Sequence, residues 1–399
     1  NLMSVGTNIK YYIQNGTNGS LYDVTPLRTT TTAGEVTFAA TNGSKTITVT
    51  DVGHGAQAGD FVTYSGAVSL GGNITASILN AEFQVATYVS SSQYTITASV
   101  AANSSDSGNG GAAVVGQYQI TTGNAVYTQN VGWGAGGWSG VTTGYTSTGW
   151  GAAAPAGLGI GVQLRLWSES NYGEDLIFNP RGGALYYWAN AASPNTFNRG
   201  QLLGPSASIS TKSGTLTVDA YCPSVANIVM VSDASRFVIA FGCNDAVASS
   251  SVQNPMFVAW SDQEDITTWL PSATNQAGSY TLSHGSQIIA AIQTRQEILV
   301  LTDAAIYSMQ YLGPPYVWGF QLMGDNISIA GPNAVATANN VTYWMGTDKF
   351  YMYSGRVETL PCSLRQYVYD DINLTQSYQF FASTNEGYSE VWSFYCSIS

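Results

Sequence analysis

Residues 297–309 read Glu297-Ile298-Leu299-Val300-Leu301-Thr302-Asp303-Ala304-Ala305-Ile306-Tyr307-Ser308-Met309. Two apolar runs flank the tight turn Thr302-Asp303-Ala304, so the stretch reads as strand, turn, strand. The pattern repeats downstream, where Val341-Thr342-Tyr343-Trp344-Met345 passes through Gly346-Thr347-Asp348 into Phe350-Tyr351-Met352-Tyr353. Upstream lie Gly183-Ala184-Leu185-Tyr186-Tyr187-Trp188, Arg236-Phe237-Val238-Ile239-Ala240-Phe241-Gly242 and Pro255-Met256-Phe257-Val258-Ala259-Trp260-Ser261, and near the end Val391-Trp392-Ser393-Phe394-Tyr395. The recurrence is about every 40–50 residues, the size of a propeller blade. Identity between the units is weak, so the repeat is structural more than sequential.

Elsewhere the chain alternates with period 2, as in Lys45-Thr46-Ile47-Thr48-Val49-Thr50 and Gln93-Tyr94-Thr95-Ile96-Thr97. Thr, Val, Ile and Tyr suit a half-buried pleated surface. Residues 35–116 read as a separate unit of about five strands, enough for a small barrel or sandwich. The unit closes in Ser104-Ser105-Asp106-Ser107-Gly108-Asn109-Gly110-Gly111, a stretch expected to be flexible. The predicted organisation is 1–34 as the first part of a propeller or platform, 35–116 as a small inserted β domain, and 117–399 as the propeller core. The predicted fold class is therefore all-β, with a β-propeller-like core and a small inserted β-barrel or β-sandwich.

Composition narrows the function. Of 399 residues only 9% are charged while 44% are hydrophobic, and the formal net charge is -12. A full core is affordable, and low charge with 12% aromatics excludes a disordered chain. A sequence pI of about 4.4 argues against a surface that grips DNA by neutralising phosphates. No window is apolar for long enough to form a membrane-spanning helix. Asn1 to Lys10 carry no signal-peptide pattern, and the chain is expected to be trimmed, since it starts without Met.

Residues 130–161 are rich in Gly and Trp, with Gly132, Gly134 and Gly137 matching G-x-G-x-x-G. A dinucleotide site needs a helix to follow, and Ser139-Gly140-Val141-Thr142-Thr143-Gly144 is none, so a surface loop with aromatic anchors is predicted. Trp133, Trp138 and Trp150 would serve packing or subunit contacts, with sugar binding as the alternative. Cys222, Cys243, Cys362 and Cys396 contain no C-x-x-C pair and read as free thiols, with a Cys222–Cys243 bridge as the alternative. His54 and His284 each adjoin Gly and read as turn histidines, too few for a three-His zinc site. The carboxylate pairs Glu174-Asp175, Glu264-Asp265 and Asp370-Asp371 are neighbours, and neighbours in a strand point to opposite faces. They do not supply the facing carboxyls of a glycosidase. Asp262, Glu264 and Asp265 would bind Ca²⁺ or cap a turn, and capping is the expectation. Ser363 to Asn373 is the best helix candidate, with Ser363 as N-cap and Leu364, Tyr367, Val368 and Ile372 on one face. No catalytic, cofactor-binding or metal-binding residue is predicted, and the chain is expected not to be an enzyme.

Several segments carry a resemblance. Phe257-Val258-Ala259-Trp260-Ser261-Asp262-Gln263-Glu264-Asp265 with Thr268-Trp269-Leu270-Pro271 is one, and Ile298 to Tyr307 and Tyr343 to Gly355 are others, with Leu21-Tyr22-Asp23-Val24-Thr25-Pro26-Leu27-Arg28 at the opening. Together they resemble the tail nozzle proteins of short-tailed bacteriophages, also called packaged-DNA stabilisation or tail accessory proteins. The resemblance covers residues 160–399 and part of the first thirty. It implies a β-propeller subunit of a hexameric tube in the virion, assembled in the host cytoplasm. Such a tube extends the portal and adaptor proteins, neighbours tail fibres or spikes, and meets the host cell surface at its tip. It retains double-stranded DNA and passes it out without specific binding. An acidic, sparsely charged lumen would let a duplex slide. The closing C-terminal strand or tip of that family is expected to be missing, because this chain ends at Ser399 directly after a strand. The competing reading is a carbohydrate- or receptor-binding tail fibre or tailspike.

Overall fold

In the computed structural model residues 2–7, 9–120, 165–190, 199–233 and 235–398 are described. Strands dominate, and the fold is all-β. The chain divides into two compact units, Asn1–Val126 with Ser193–Gln201 and Tyr127–Ala192 with Leu202–Ser399.

The second unit holds four successive four-stranded sheets, each taken in sequence order. Blade I is Trp167–Tyr172, Asp175–Pro180, Leu185–Trp188 and Gln201–Leu203; blade II is Ile228–Val231, Val238–Phe241, Phe257–Trp260 and Gly278–Thr281. Blade III is Ile288–Gln293, Ile298–Thr302, Ala305–Gly313 and Val317–Asp325; blade IV is Val335–Ala338, Val341–Met345, Phe350–Tyr353 and Val357–Leu360. This is the meander of a propeller blade, repeated. The stretch 297–309 forms the middle hairpin of blade III, with Ile298 opposite Met309 and Leu301 opposite Ile306. Blades I and II begin further from their successors than the predicted repeat. The hairpin Ser208–Thr211/Gly214–Thr217 follows blade I, and long connections at 242–256 and 261–277 lie within blade II.

The blades stack face to face. In blade II, Val238, Ala240, Phe257 and Ala259 pack with blade I residues such as Ile177, Leu185 and Tyr187. Their strand neighbours Ile239, Phe241, Val258 and Trp260 pack the other way, with Ile298, Val300 and Met309 of blade III. Leu299, Leu301 and Ile306 then meet Trp344, Met345 and Tyr351 of blade IV. A strand apolar on both faces reads as a continuous run, which is why these segments lack alternation. Each such Val, Leu, Ile or Phe side chain stabilises by roughly 1.5–3 kcal/mol over leaving it in water.

After blade IV come the helix Arg365–Asp371, a 3-10 segment Leu374–Gln379 and the hairpin Phe381–Asn385/Glu390–Phe394. The hairpin lies beside the first strand of blade IV, where the Ala382 amide donates to the Asn333 carbonyl at 2.8 Å. It has two strands where each blade has four. The helix corrects the sequence reading. Its N-cap position is Leu364, not Ser363, and no side chain caps it. Leu364 and Tyr367 are exposed, while Val368, Tyr369 and Ile372 face the core. The helix is rolled because Tyr369 takes the inward place, donating from its hydroxyl to the Gly346 carbonyl at 3.2 Å.

The first unit has a three-stranded sheet, Leu2–Gly6, Tyr11–Asn15 and Leu21–Asp23, and a two-sheet module. One module sheet runs Asp106–Asn109, Thr37–Ala40, Thr46–Thr50, Gln93–Thr97, Thr87–Ser90; the other runs Leu27–Thr30, Val115–Gln119, Phe61–Ser65, Glu82–Gln84. Their inner faces share one core, including Val36, Phe38, Ile47, Val49, Val62 and Ile96. The predicted edge at 116/117 falls inside a strand, and the sheet begins at Leu27, ahead of the predicted residue 35. Within the stretch expected to be flexible, Asp106–Asn109 pairs antiparallel with Thr37–Ala40. An edge strand is held by its main chain, so its polar composition hid it.

Candidate interaction surfaces

The structure disperses the candidate catalytic and metal residues. Asp262 Oδ1 accepts from the amides of Gln263 and Gln276, each at 2.8 Å. Asp265 accepts from the Thr267 amide at 2.7 Å and from the hydroxyls of Thr267 and Thr268 at 2.6 and 2.8 Å. Burial raises the Asp265 carboxyl, but these donors outweigh it and hold it below the usual range. Both residues therefore cap turns. Glu264 stands 3.8 Å from Arg236. No group of three His, Cys, Asp or Glu that could hold a metal occurs among the described residues. The other pairs diverge as well. Glu174 pairs with Lys212. Asp175 accepts from the Tyr187 hydroxyl at 2.5 Å and the Asn190 amide at 2.9 Å. Asp371 accepts from Ser397 at 2.8 Å.

His54 sits in the expected turn but is buried, its Nδ1 accepting from the Ala56 amide at 2.8 Å. His284 donates its amide to the Tyr307 hydroxyl at 2.9 Å. All four cysteines are free, which overturns the alternative of a Cys222–Cys243 bridge. These two thiols are fully buried and point to carbonyls instead, Cys222 to Leu203 at 3.6 Å and Cys243 to Ala240 at 3.5 Å. Burial pushes both well above the ordinary thiol value, which makes them inert. The Gly/Trp-rich segment 130–161, with Trp133, Trp138 and Trp150, lies outside the described residues.

Two surfaces were not singled out from sequence. The first lies between blades II and III. The Asp262–Gln276 turn of blade II forms a polar wall lined by Asp262, Gln263, Glu264, Thr274, Asn275 and Gln276. The outer hairpin of blade III, which turns through Tyr311-Leu312-Gly313-Pro314-Pro315-Tyr316 between the third and fourth strands, is anchored to that wall by the Tyr311 hydroxyl, which donates to Gln276 Oε1 at 2.9 Å. Leu312 and Tyr316 at its tip are 59% and 78% exposed. A tight turn needs no apolar tip, and that was the available signal.

The second is the last hairpin. Phe381 and Phe394 stack at 4.4 Å, with Trp392 6.2 Å from Phe394. All three are exposed. The strand Glu390–Phe394 pairs with Phe381–Asn385 on one side, and no described strand pairs with its other edge. Unpaired edges of this kind are templates for further strands.

The first unit holds an ion-pair cluster and a buried phenol chain. Lys10 pairs with Asp23 at 3.1 Å and with Glu82, and Arg199 pairs with Asp23 at 2.7 Å. In the module, Tyr64 bonds Tyr94, Tyr94 bonds Tyr118 at 2.7 Å, and Tyr118 donates to buried Asp51 at 2.5 Å. Burial pushes Tyr94 up to about 12 and holds Tyr64 and Tyr118 well above the ordinary phenol. The phenol chain is buried and serves the fold, whereas Glu82 and Arg199 of the ion-pair cluster reach solvent.

Neither a protein-family model nor a curated protein sequence matches the chain. Among solved structures it is similar to the phage phi92 endosialidase, with 13% identity over 86% of this chain and a TM-score of 0.25. The chain spans 52% of that protein's length. Citrobacter koseri AztD matches over 90% of this chain and 93% of its own, with 12% identity and a TM-score of 0.30. Hsv2 of Kluyvelomyces marxianus matches over 57% of this chain and 54% of its own, with 10% identity and a TM-score of 0.30. At TM-scores this low no activity is carried across from any of them.

Proposed function

We propose that this protein is a structural subunit of a phage tail, assembling through sheet edges into a ring that forms the distal tube, or nozzle. In this reading the ring is hexameric, docks on the portal and adaptor proteins, holds packaged DNA and conducts it at ejection. The subunit performs no chemistry. The observation that carries the reading is the two-stranded unit Phe381–Asn385/Glu390–Phe394, which follows four complete blades. Its open edge and exposed Phe381, Trp392 and Phe394 suit completion by strands of a neighbouring subunit. The resemblance of residues 160–399 to nozzle proteins and the net charge of -12 support the same reading.

Electron imaging of the purified full-length protein, with its mass in solution, tests it. Rings or tubes with a central hole wide enough for duplex DNA are expected, either alone or once the adaptor ring is supplied. A discrete monomer under both conditions would remove the nozzle reading.

A further inference from the structure

We infer that the open edge of Glu390–Phe394 is completed by the first strand, Leu2–Gly6, of a neighbouring copy. This inference rests on the ring reading and names the strand that the ring would place there. A ring needs a heterologous contact, in which two different surfaces of the chain meet. Pairing of Glu390–Phe394 with itself would instead close a twofold dimer. Leu2–Gly6 pairs with Tyr11–Asn15 on one side, and no described strand pairs with its other edge. It matches Glu390–Phe394 in length, at five residues each. It carries no charge and no Pro, the residues that commonly blunt an exposed edge, and Leu2 and Met3 are exposed.

Main-chain direction and side-chain pattern fix a register. The Ala382 amide donates to the Asn333 carbonyl, so Ala382 and its opposite, Ser393, turn their main-chain groups out of the hairpin. Strand alternation then turns Val391 outward too. On the other strand, Tyr11 donates its amide to Thr25 Oγ1 at 3.0 Å and accepts from the Val24 amide at 3.0 Å. Tyr11 thus faces away from its opposite, Gly6, and Gly6 turns its main chain to the open edge. In an antiparallel pair outward groups meet outward groups, so Gly6 falls opposite Val391 or opposite a position two residues away. With Gly6 opposite Val391, Val5 falls opposite Trp392 and Met3 opposite Phe394. Both are close, non-hydrogen-bonded pairs, β-branched on aromatic and thioether on aromatic. A shift by two places Val5 opposite Glu390, or carries Met3 past the strand to Cys396. Phe381 already stacks on Phe394 from the other side at 4.4 Å, so Met3 would extend an existing apolar row. The product is a continuous sheet, in which the three strands at the start of one copy meet the two-stranded hairpin of the next.

Cross-linking of the full-length protein tests the pairing, in a Cys362→Ser, Cys396→Ser background. Chains carrying Met3→Cys are mixed with chains carrying Phe394→Cys, assembled with the adaptor ring where it is needed, and oxidised. A disulfide between the two kinds of chain forms only between copies. Non-reducing gels should show a dimer band roughly tenfold stronger than a mixture of Met3→Cys with Trp392→Cys, because directly opposite cysteines meet bridging geometry and diagonal ones do not. The unsubstituted protein gives a second readout that needs no variant to fold. On assembly the amides of Leu2–Gly6 and Glu390–Phe394 should gain protection from hydrogen exchange together. Rings in which Leu2–Gly6 stays unprotected, or in which both mixtures cross-link equally, would overturn the pairing and leave the nozzle reading standing. Absence of rings removes the nozzle reading and the pairing with it.

Discussion

In blade III, Leu299 and Val300 are neighbours in one strand and both are fully buried, one toward blade IV and the other toward blade II. In the N-terminal module, Ile47 and Val49 are buried, but Thr46, Thr48 and Thr50 around them are not. Both segments are short antiparallel strands. They differ in how many layers cover them. A sheet between two others needs apolar residues at every position, whereas a sheet covered once needs them at every second position. Threonine in the module and leucine in the blades follow from layer count, and the hydrophobic period therefore reports architecture as well as strand.

The largest test of that difference inserts a charge. Leu299→Asp and Val300→Asp should each cost at least about 4 kcal/mol, because either face buries an unpaired carboxylate. Ile47→Asp should cost as much in the module, whereas Thr46→Asp should stay within about 0.5 kcal/mol. Urea unfolding followed by circular dichroism reads all four. Tolerance of Val300→Asp would mean that blades II and III do not stack as described.

The module has a feature that the blades lack, the buried phenol chain ending on Asp51. Tyr118→Phe removes the donor to that carboxylate and should cost about 1–3 kcal/mol, with Tyr64→Phe, at the far end, costing less. Because burial raises the Tyr94 phenol from 10.0 to about 12, folding favours its protonated form. That contribution is complete below pH 10 and is lost as pH rises through about 12. Alkaline titration of phenolate absorbance should show these tyrosines ionising after the exposed ones.

A smaller effect is expected at the blade II turn. Asp265→Asn keeps the shape but weakens the bonds from Thr267 and Thr268, costing about 1 kcal/mol. The Asp265 carboxyl is held below its ordinary value, so its contribution is present at neutral pH and is lost as pH falls through the folded value. The pH dependence of stability in the variant should flatten on the acid side. The smallest effect is at Ser363: Ser363→Ala should change stability by less than about 0.5 kcal/mol, since Ser363 does not cap the helix. A loss near 1 kcal/mol in thermal melts would restore it as the cap.

What could be read in advance follows the same physics. The runs at 238–241, 257–260 and 298–302 announced the blades because both their faces are covered. The module was recognisable from Thr-Ile-Thr-Val-Thr alternation, yet its limits were not. Leu27–Thr30 joins through main-chain pairing to Val115–Gln119, far away in sequence. Asp106–Asn109 was hidden for the same reason, since nothing in a polar edge strand announces its partner. The buried helix face differs from the one the periodicity predicts, because Leu364 precedes the first helical residue and Tyr369 packs against the core. The contact between the blade II turn and the outer hairpin of blade III joins residues 35 apart, and only blade stacking brings Gln276 to Tyr311.

The most direct test of the central claim, assembly through an incomplete blade, is hydrogen–deuterium exchange of the full-length protein before and after assembly. The account predicts that amides of Glu390–Phe394 exchange fast in the free chain and become protected in the ring, while Ile298–Thr302 is protected in both. Equal exchange of Glu390–Phe394 in the two states would contradict it.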